Sequence, residues 1–291
     1  MLILISDAFD ASLPGRLEEF GEVTDDKSRV SEADIVLIRS KTKVTKEYID
    51  SAPNLKLVIR GGVGLDNVDL DYAAEKGITV HNTPEASSIA VAELAFAHMI
   101  AVPSRLIEGH NSMREGKWIK KELKRTELYQ KTLGLIGAGR IATELAKRAA
   151  AFGMKVIAFD KYIEKSDYAE MKSFDEVLSQ SDFISLHVPL TDDTKEMINK
   201  NTISKMKDGV IIVNTGRGKC VNEHDVVEAL KSGKIRSYAT DVWYSDPPPA
   251  DCPVIDAPNV QMTPHIGAST KENMLRIGDC VVKIIKEFMN K

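Results

Sequence analysis

The chain is poor in cysteine, in charge of one sign and in long apolar runs. Its three cysteines, Cys220, Cys252 and Cys280, stand far apart among 291 residues and form no CxxC pair. That argues against a disulfide scaffold and a thiolate zinc site, and fits a reducing compartment. Lysine and arginine total 39 against 43 aspartate and glutamate, a net charge of −4, so nothing suggests a nucleic-acid partner. The longest apolar stretch, Ile89 to Val102, is interrupted by Glu93 and His98, and is too short and too polar to span a bilayer. The opening residues, MLILISDAFD, run into acids with no basic segment, which does not read as a secretion signal. The expectation is a cytoplasmic chain without metal, membrane or nucleic-acid partner, long enough for two domains. No internal repeat is evident, and the nearest thing to low complexity is the triple proline at 247–249.

What the chain does have is an ordered pattern at 132–160, TLGLIGAGRIATELAKRAAAFGMKVIAFD. A short apolar run, Leu133 to Ile136, leads into the turn Gly137-Ala138-Gly139. Ile141, Ala142, Leu145, Ala146, Ala149 and Ala150 then recur at helical spacing. A second apolar run, Val156 to Phe159, ends at Asp160. This reads as strand–turn–helix–strand, the first half of a dinucleotide-binding fold. Gly137 allows the tight turn, and Gly139 lets the backbone approach a pyrophosphate at the helix N-terminus, where open N–H groups favour anions. Ala142 takes the third glycine position, and Asp160 is placed to accept hydrogen bonds from an adenosine ribose. An acid there would repel a 2′-phosphate, so NAD is favoured over NADP, a preference tempered by Lys161 beside it.

The rest alternates in the same manner. Candidate strands Leu2–Ile5, Ile35–Ile38, Leu57–Ile59 and Ile78–Val80 are separated by helical segments near 13–20, 46–51 and 70–76, a small parallel sheet covered on both faces. Two loops follow strand ends, where ligands collect in such sheets: Arg39-Ser40-Lys41, and Arg60 to Asn67 with three glycines in four positions, an anion-binding concavity. Helices over 87–100 and from Pro103 to Arg114 connect to the second half. The charged stretch 115–129 contains Trp118, which needs burial somewhere, and reads as a solvated arm or a contact with a partner subunit. Glu93 and His98 read as structural. Beyond Asp160, strands at 183–186, 210–213, 237–240 and 260–262 alternate with helices at 174–179 and 223–231, and a last helix covers 270–289.

Three polar groups follow predicted strands of the second half: Arg217, Asp241 or Asp246, and His265. Nicotinamide chemistry at a carbinol needs a cation to orient a carboxylate, a base for the hydroxyl proton, and a carboxylate to hold that base. Arginine suits the first task through its planar fork, and histidine the second because it titrates near neutrality.

The motifs RSKTKVT at 39–45, RGGVGLDNVDL at 60–70, GLIGAGRIA at 134–142, NTGRGKCVNE at 214–223, TDVW at 240–243 and TPHIGAST at 263–270 together resemble the D-isomer-specific 2-hydroxyacid dehydrogenases, and within that family the phosphoglycerate dehydrogenase branch. The resemblance covers nearly the whole chain. It implies an α/β protein of two doubly wound parallel-sheet domains, a Rossmann NAD-binding domain over 86–269 inserted in a flavodoxin-like substrate domain made of 1–85 and the helix 270–291. It implies a homodimer, and oxidation of 3-phospho-D-glycerate at the entry to serine biosynthesis. A hydroxypyruvate or glyoxylate reductase is the alternative. Some relatives are NAD(H)-responsive corepressors, a reading that retention of Arg217 and His265 argues against.

For the site, the resemblance implies that Arg217 binds the substrate carboxylate and keto oxygen and that His265 is the acid–base residue. Val63 and Gly64 offer backbone groups near the substrate carboxylate and nicotinamide. Arg140 and Ile141 cradle the pyrophosphate beside Gly137 and Gly139, and Asp160 holds the ribose. Val188, Thr215 and Gly216 line the cofactor, Asp241 bonds the nicotinamide amide, and Gly267 and Ala268 lie against the nicotinamide. Arg39 and Arg60 take a phosphate, which favours a phosphorylated 2-hydroxy or 2-oxo acid. The family's third catalytic group is usually a glutamate before a proline; here it is Asp246 before Pro247, one methylene shorter, which pairs with His265 only if its loop shifts inward. No C-terminal regulatory domain is expected after the last helix.

Overall fold

The structure, a computed structural model, describes residues 1–290. It contains two compact units, Met1–Ala90 with the chain from Ala268 onward, and Val91–Gly267. Both divisions fall a few residues from those expected at 85/86 and 269/270. Ala86 packs in the core of the first unit with the last helix, which carries the first boundary into the opening turn of a helix.

The first unit opens with β1 (Leu2–Ile5), α1 (Leu13–Leu17), β2 (Glu22–Thr24), β3 (Ile35–Ile38), α2 (Lys46–Asp50), β4 (Leu57–Arg60), α3 (Leu70–Glu75) and β5 (Thr79–Asn82). The strands lie in the order β2-β1-β3-β4-β5 and every pair is parallel. Side chains alternate between faces along each strand. Leu2, Leu4, Val36, Ile38 and Val58 fall in one buried cluster, and Ile3, Ile5, Ile35, Leu37, Leu57 and Ile59 in another. Burial on both sides accounts for the unbroken apolar runs.

The chain continues through α4 (Ser88–Ala101), α5 (Leu106–Arg114), β6 (Thr132–Ile136), α6 (Arg140–Ala151), β7 (Lys155–Phe159), β8 (Glu170–Met171), α7 (Phe174–Gln180), β9 (Phe183–Leu186), α8 (Lys200–Ser204), β10 (Val210–Asn214), α9 (Glu223–Ser232), β11 (Ile235–Thr240) and β12 (Val260–Met262). The second unit's seven strands run β12-β11-β10-β9-β6-β7-β8, all parallel. From β6 outward this is the doubly wound dinucleotide-binding order, which reverses direction between β6 and β9. One face is covered by α4 and α6 through Ala92, Phe96, Met99, Ala142, Leu145 and Ala149; the other receives Val177, Leu178, Val226 and Leu230 from α7 and α9. The final helix, α10 (Lys271–Met289), returns to the first unit. It is capped by Thr270 Oγ1, which accepts from Asn273 N at 3.1 Å, and buries Ile277, Val281 and Ile285 on one stripe.

The expected fold class is therefore the observed one. No single helix among the described residues is long and apolar enough to cross a membrane. Three short elements were not expected: β2, β8 and α8. Trp118 was expected to be covered, but it is 77% exposed in the single chain.

Gly134, in the middle of β6, is where α7 comes closest to the sheet: a Cβ there would lie 2.1 Å from Ser181 Oγ and 2.8 Å from Val177 Cγ1. Ser181 Oγ is itself committed, donating to Val177 O at 2.6 Å. Gly134→Ala is therefore expected to destabilise the chain by about 1–3 kcal/mol, the usual penalty for overpacking, read as a lowered urea midpoint with unchanged slope.

Candidate active site

Four strand ends of the second unit meet at the reversal point of its sheet. The turn after β6 begins with Gly137 at φ +96°, and a Cβ on it would meet His187 O at 2.7 Å and Val188 Cγ1 at 3.2 Å. A side chain is thus excluded twice, by backbone conformation and by the segment leaving β9. Gly139 is different. It stands at the N-cap of α6 with no side-chain cap, and a Cβ there would meet nothing within 4 Å. The helix N-terminus accordingly faces open space with its first N–H groups unsatisfied by any cap. Arg140 is exposed and Ile141 half-buried on the first turn.

Asp160, at the end of β7, accepts from Ala138 N through Oδ2 at 2.8 Å, and from Tyr162 N and Ile163 N through Oδ1 at 2.8 and 3.1 Å. It fixes the glycine turn from the neighbouring strand. Thr215 and Gly216 follow β10. A Cβ on Gly216 would lie 3.0 Å from Leu186 O, and Thr215 Oγ1 is buried with no hydrogen-bond partner. A cradle with open helix N–H groups, an adjoining carboxylate and an unsatisfied hydroxyl fits a dinucleotide.

Arg217 sits in the turn that Asn214 organises. Asn214 is fully buried; its Nδ2 donates to Arg217 O at 3.0 Å and its Oδ1 accepts from Gly216 N at 3.1 Å. The Arg217 guanidinium is half-buried and donates from Nη1 to Gly216 O at 2.8 Å. One strand over, Asp241 is 1% exposed. Its Oδ1 accepts from Thr263 Oγ1 at 2.6 Å and Ile266 N at 2.8 Å, and its Oδ2 from Gly267 N at 2.8 Å. These bonds bracket His265, whose backbone is left-handed at φ +55°, an uncommon state for a residue with a side chain.

His265 Nδ1 is hydrogen-bonded to Asp246 Oδ2. The two side chains are 34% and 39% exposed, so solutes reach the pair. The loop bearing the shorter acid is tied down on both sides of it: Trp243 Nε1 donates to Thr263 O at 3.2 Å, the Tyr244 hydroxyl donates to Glu196, and Ser245 Oγ donates to Pro247 O at 2.8 Å. Burial and the Glu196 carboxylate push the Tyr244 hydroxyl up to about 12, so it stays a donor.

The first unit groups the remaining residues. Arg39 and Arg60 leave neighbouring strands β3 and β4, in a register that pairs Ile38 with Arg60. Arg39 is partly buried and donates from Nη2 to Ala268 O at 3.2 Å; burial pulls its pKa down, opposed by Asp7. The Arg60 guanidinium lies over Gly62, where an added Cβ would be 1.6 Å from its Nη1. Val63 is 37% exposed, and its carbonyl accepts from Asn82 Nδ2 at 2.5 Å; Gly64 is half-buried beside it.

Two further residues, neither singled out by the sequence, shape these loops. Asp7 accepts from Arg39 N at 2.6 Å, Thr42 Oγ1 at 2.8 Å and Thr42 N at 3.1 Å. Asn67 Nδ2 donates to both Arg39 O and Thr42 O at 2.7 Å. A polar residue directly after a strand was the available signal for Asp7 and Asn214. His98, on α4, is buried and bonded to Gln261 and Thr263, a structural role in keeping with expectation. No cluster of three His, Cys, Asp or Glu able to hold a metal occurs among the described residues.

Comparison with known proteins places this geometry in a family. Residues 96–267 match the D-isomer specific 2-hydroxyacid dehydrogenase NAD binding domain. A hydroxypyruvate reductase from Thermotoga maritima is 49% identical over 262 residues, covering 89% of this chain and 86% of that protein. A D-3-phosphoglycerate dehydrogenase from Methanocaldococcus jannaschii is 43% identical over 300 residues, 99% of this chain but 57% of its own length. The chain spans about half the length of the phosphoglycerate dehydrogenases it matches. Among solved structures, an NAD-dependent formate dehydrogenase from Staphylococcus aureus in complex with NAD superposes with a TM-score of 0.89 at 33% identity, over 100% of this chain and 96% of that one. The chain belongs to the D-isomer specific 2-hydroxyacid dehydrogenase family, enzymes of NAD-dependent oxidoreduction.

Two measurements check the site. Gly137→Ala should cost stability, about 1–3 kcal/mol, whereas Gly139→Ala should leave the melting temperature unchanged and weaken NADH at least about tenfold by blocking the helix N-terminus; calorimetry and fluorescence titration separate the two. His187, whose ring Nε2 pairs with Ser185 Oγ at 2.9 Å, is driven by burial down to a pKa of about 4. Unfolded, it titrates near 6.5. The unfolded chain therefore takes up a proton that the folded chain refuses. Stability should be full above about pH 6.5 and fall as pH drops toward 4, by at most about 3 kcal/mol from this residue. Urea midpoints against pH should show that loss, and His187→Gln should flatten it.

Proposed function

We propose that the enzyme catalyses the reversible oxidation of 3-phospho-D-glycerate to 3-phosphohydroxypyruvate, the entry reaction to serine biosynthesis. The observation that carries the reading is the His265–Asp246 pair: Nδ1 is committed to the carboxylate, which leaves Nε2 to face a substrate hydroxyl. NAD bound at the glycine turn supplies the hydride acceptor, and in the reverse direction the donor. In oxidation His265 takes the C2 hydroxyl proton as the C2 hydrogen leaves as hydride, and Asp246 stabilises the imidazolium that results. Arg217 orients the substrate carboxylate with its planar fork and stabilises charge on the C2 oxygen.

In this reading Gly137, Gly139, Arg140 and Ile141 hold the pyrophosphate and Asp160 the ribose. Val188, Thr215, Gly216, Gly267 and Ala268 line the cofactor, and Val63 and Gly64 offer backbone groups to the carboxylate and nicotinamide. Arg39 and Arg60 bind the phosphate, which is what favours a phosphorylated acid. Hydroxypyruvate reductase is the second reading, favoured by the Thermotoga maritima relative, which is of nearly the same length. None of the three cysteines is in a disulfide, which supports a reducing, cytoplasmic location. A homodimer would cover Leu106, Ile107, Met113 and Trp118, all more than half exposed; a groove of about 580 Å³ runs along α5 beside them.

The test is NADH turnover with 3-phosphohydroxypyruvate, hydroxypyruvate and glyoxylate. The phosphorylated acid should lead in kcat/KM by at least about tenfold, and Arg60→Gln should erase that lead. A clear preference for hydroxypyruvate rejects the phosphate site and selects the second reading. His265→Ala should lose about 10²–10⁴-fold in kcat with NADH binding retained; turnover near wild type removes the proton-transfer role.

A further inference from the structure

Asp241 is a buried carboxylate of the second unit, and all the hydrogen bonds its carboxylate accepts come from one loop. Thr263, Ile266 and Gly267 donate to it from both sides of His265. Asp241 N in turn donates to Asn214 O at 3.0 Å, so the clamp begins on a fixed strand end. The hydroxyl of Thr263 is also set from behind. Gln261 Nε2 lies 2.9 Å from His98 Nδ1, and His98 Nε2 lies 3.4 Å from Thr263 Oγ1. With His98 neutral and protonated on Nε2, every step has one direction: Gln261 donates to His98, His98 to Thr263, and Thr263 to Asp241. Burial favours that neutral ring.

The loop needs such restraint. His265 holds a left-handed backbone at φ +55°, a state that persists only where surrounding contacts over-determine it. Two backbone N–H groups, those of the next two residues, are fixed on a single buried carboxylate, which aims the turn that precedes them. Trp243 adds a fourth bond to the same loop, to Thr263 O, and Trp243 lies three residues before Asp246. The clamp therefore sets both members of the pair.

We propose that Asp241 is a positioning residue for His265, acting through the 263–267 loop, in addition to any contact it makes with the nicotinamide amide. The proposal rests on the reading of His265 as the acid–base residue. Loosening a catalytic group by a fraction of an ångström slows chemistry by about 10- to 100-fold without altering ground-state binding.

The test uses the intact enzyme with NADH and whichever 2-oxo acid it reduces best. In Asp241→Asn one oxygen becomes an NH2 donor facing N–H or O–H donors. The expected result, at saturating NADH, is a kcat lower by about 10- to 100-fold, with KM for the 2-oxo acid within about threefold. Thr263→Val should fall the same way to a lesser extent, and Thr263→Ser, which keeps the hydroxyl, should restore most of kcat. The threonine series stands alone if Asp241→Asn does not fold, as judged by circular dichroism. A Kd for NADH weakened tenfold or more with kcat at saturation unchanged overturns the proposal in favour of a nicotinamide contact. Wild-type kcat in both Asp241→Asn and Thr263→Val overturns it outright. Full turnover in His265→Ala would instead overturn the acid–base reading beneath it, so the two failures are distinguishable.

Discussion

The chemistry of the second unit depends on where two adjacent parallel strands stop. β10 and β11 run in register to Asn214 and Thr240, and one more backbone bond, from Asp241 N to Asn214 O, closes the ladder. At that point two buried polar side chains turn outward to different loops. Asn214 folds the turn that carries Arg217, and Asp241 folds the loop that carries His265. The Arg217 guanidinium and the His265 imidazole, proposed above to address one small acid, are thus built on a common backbone reference. Parallel pairing supplies the rigidity, because a one-residue slip would invert every side chain on strands buried on both faces.

The cofactor end follows the same economy. The glycine turn has its shape imposed by neighbours: His187 O and Val188 press on Gly137, and the Asp160 carboxylate gathers three backbone N–H groups at the end of β7. Little of this cradle depends on flexible side chains. Backbone groups and short polar residues dominate it, which keeps the entropy lost on binding low. Arg140 is exposed on the first turn of α6.

Much of this was legible in the sequence because the signals were long or chemically singular. Apolar runs bounded by turns marked every central strand, and helical spacing marked α6 and α10. The short edge strands β2 and β8 escaped because three or two half-exposed residues leave no periodicity, and α8 because its five residues are almost all polar and its start is set by the Asn199 cap. At the site, Arg217 and His265 stood out as candidates by residue type and place. Their supports could not. Asn214, Thr263 and His98 act through buried hydrogen bonds to backbone or to one another, and neither a motif that contains an Asn or Thr nor a lone His says which bond it makes. Asp246 lay between: the sequence showed an acid one methylene short, and only the structure shows Trp243 and Tyr244 tying its loop. Trp118 was read as needing burial somewhere, and its exposure in the single chain leaves the partner-contact reading in place, since burial preference does not say whose surface does the covering.

The left-handed backbone of His265 has a consequence for how the sequence can drift. Glycine takes up that conformation without the steric cost that histidine meets. On the proposed role of His265, the residue that suits the polypeptide and the residue that suits the reaction differ at this position, and on that reading selection for turnover is what holds the imidazole there. A descendant released from that demand would be expected to lose it early, while keeping the glycine turn and both sheets, and would persist as a well-folded dinucleotide binder with no reaction to perform.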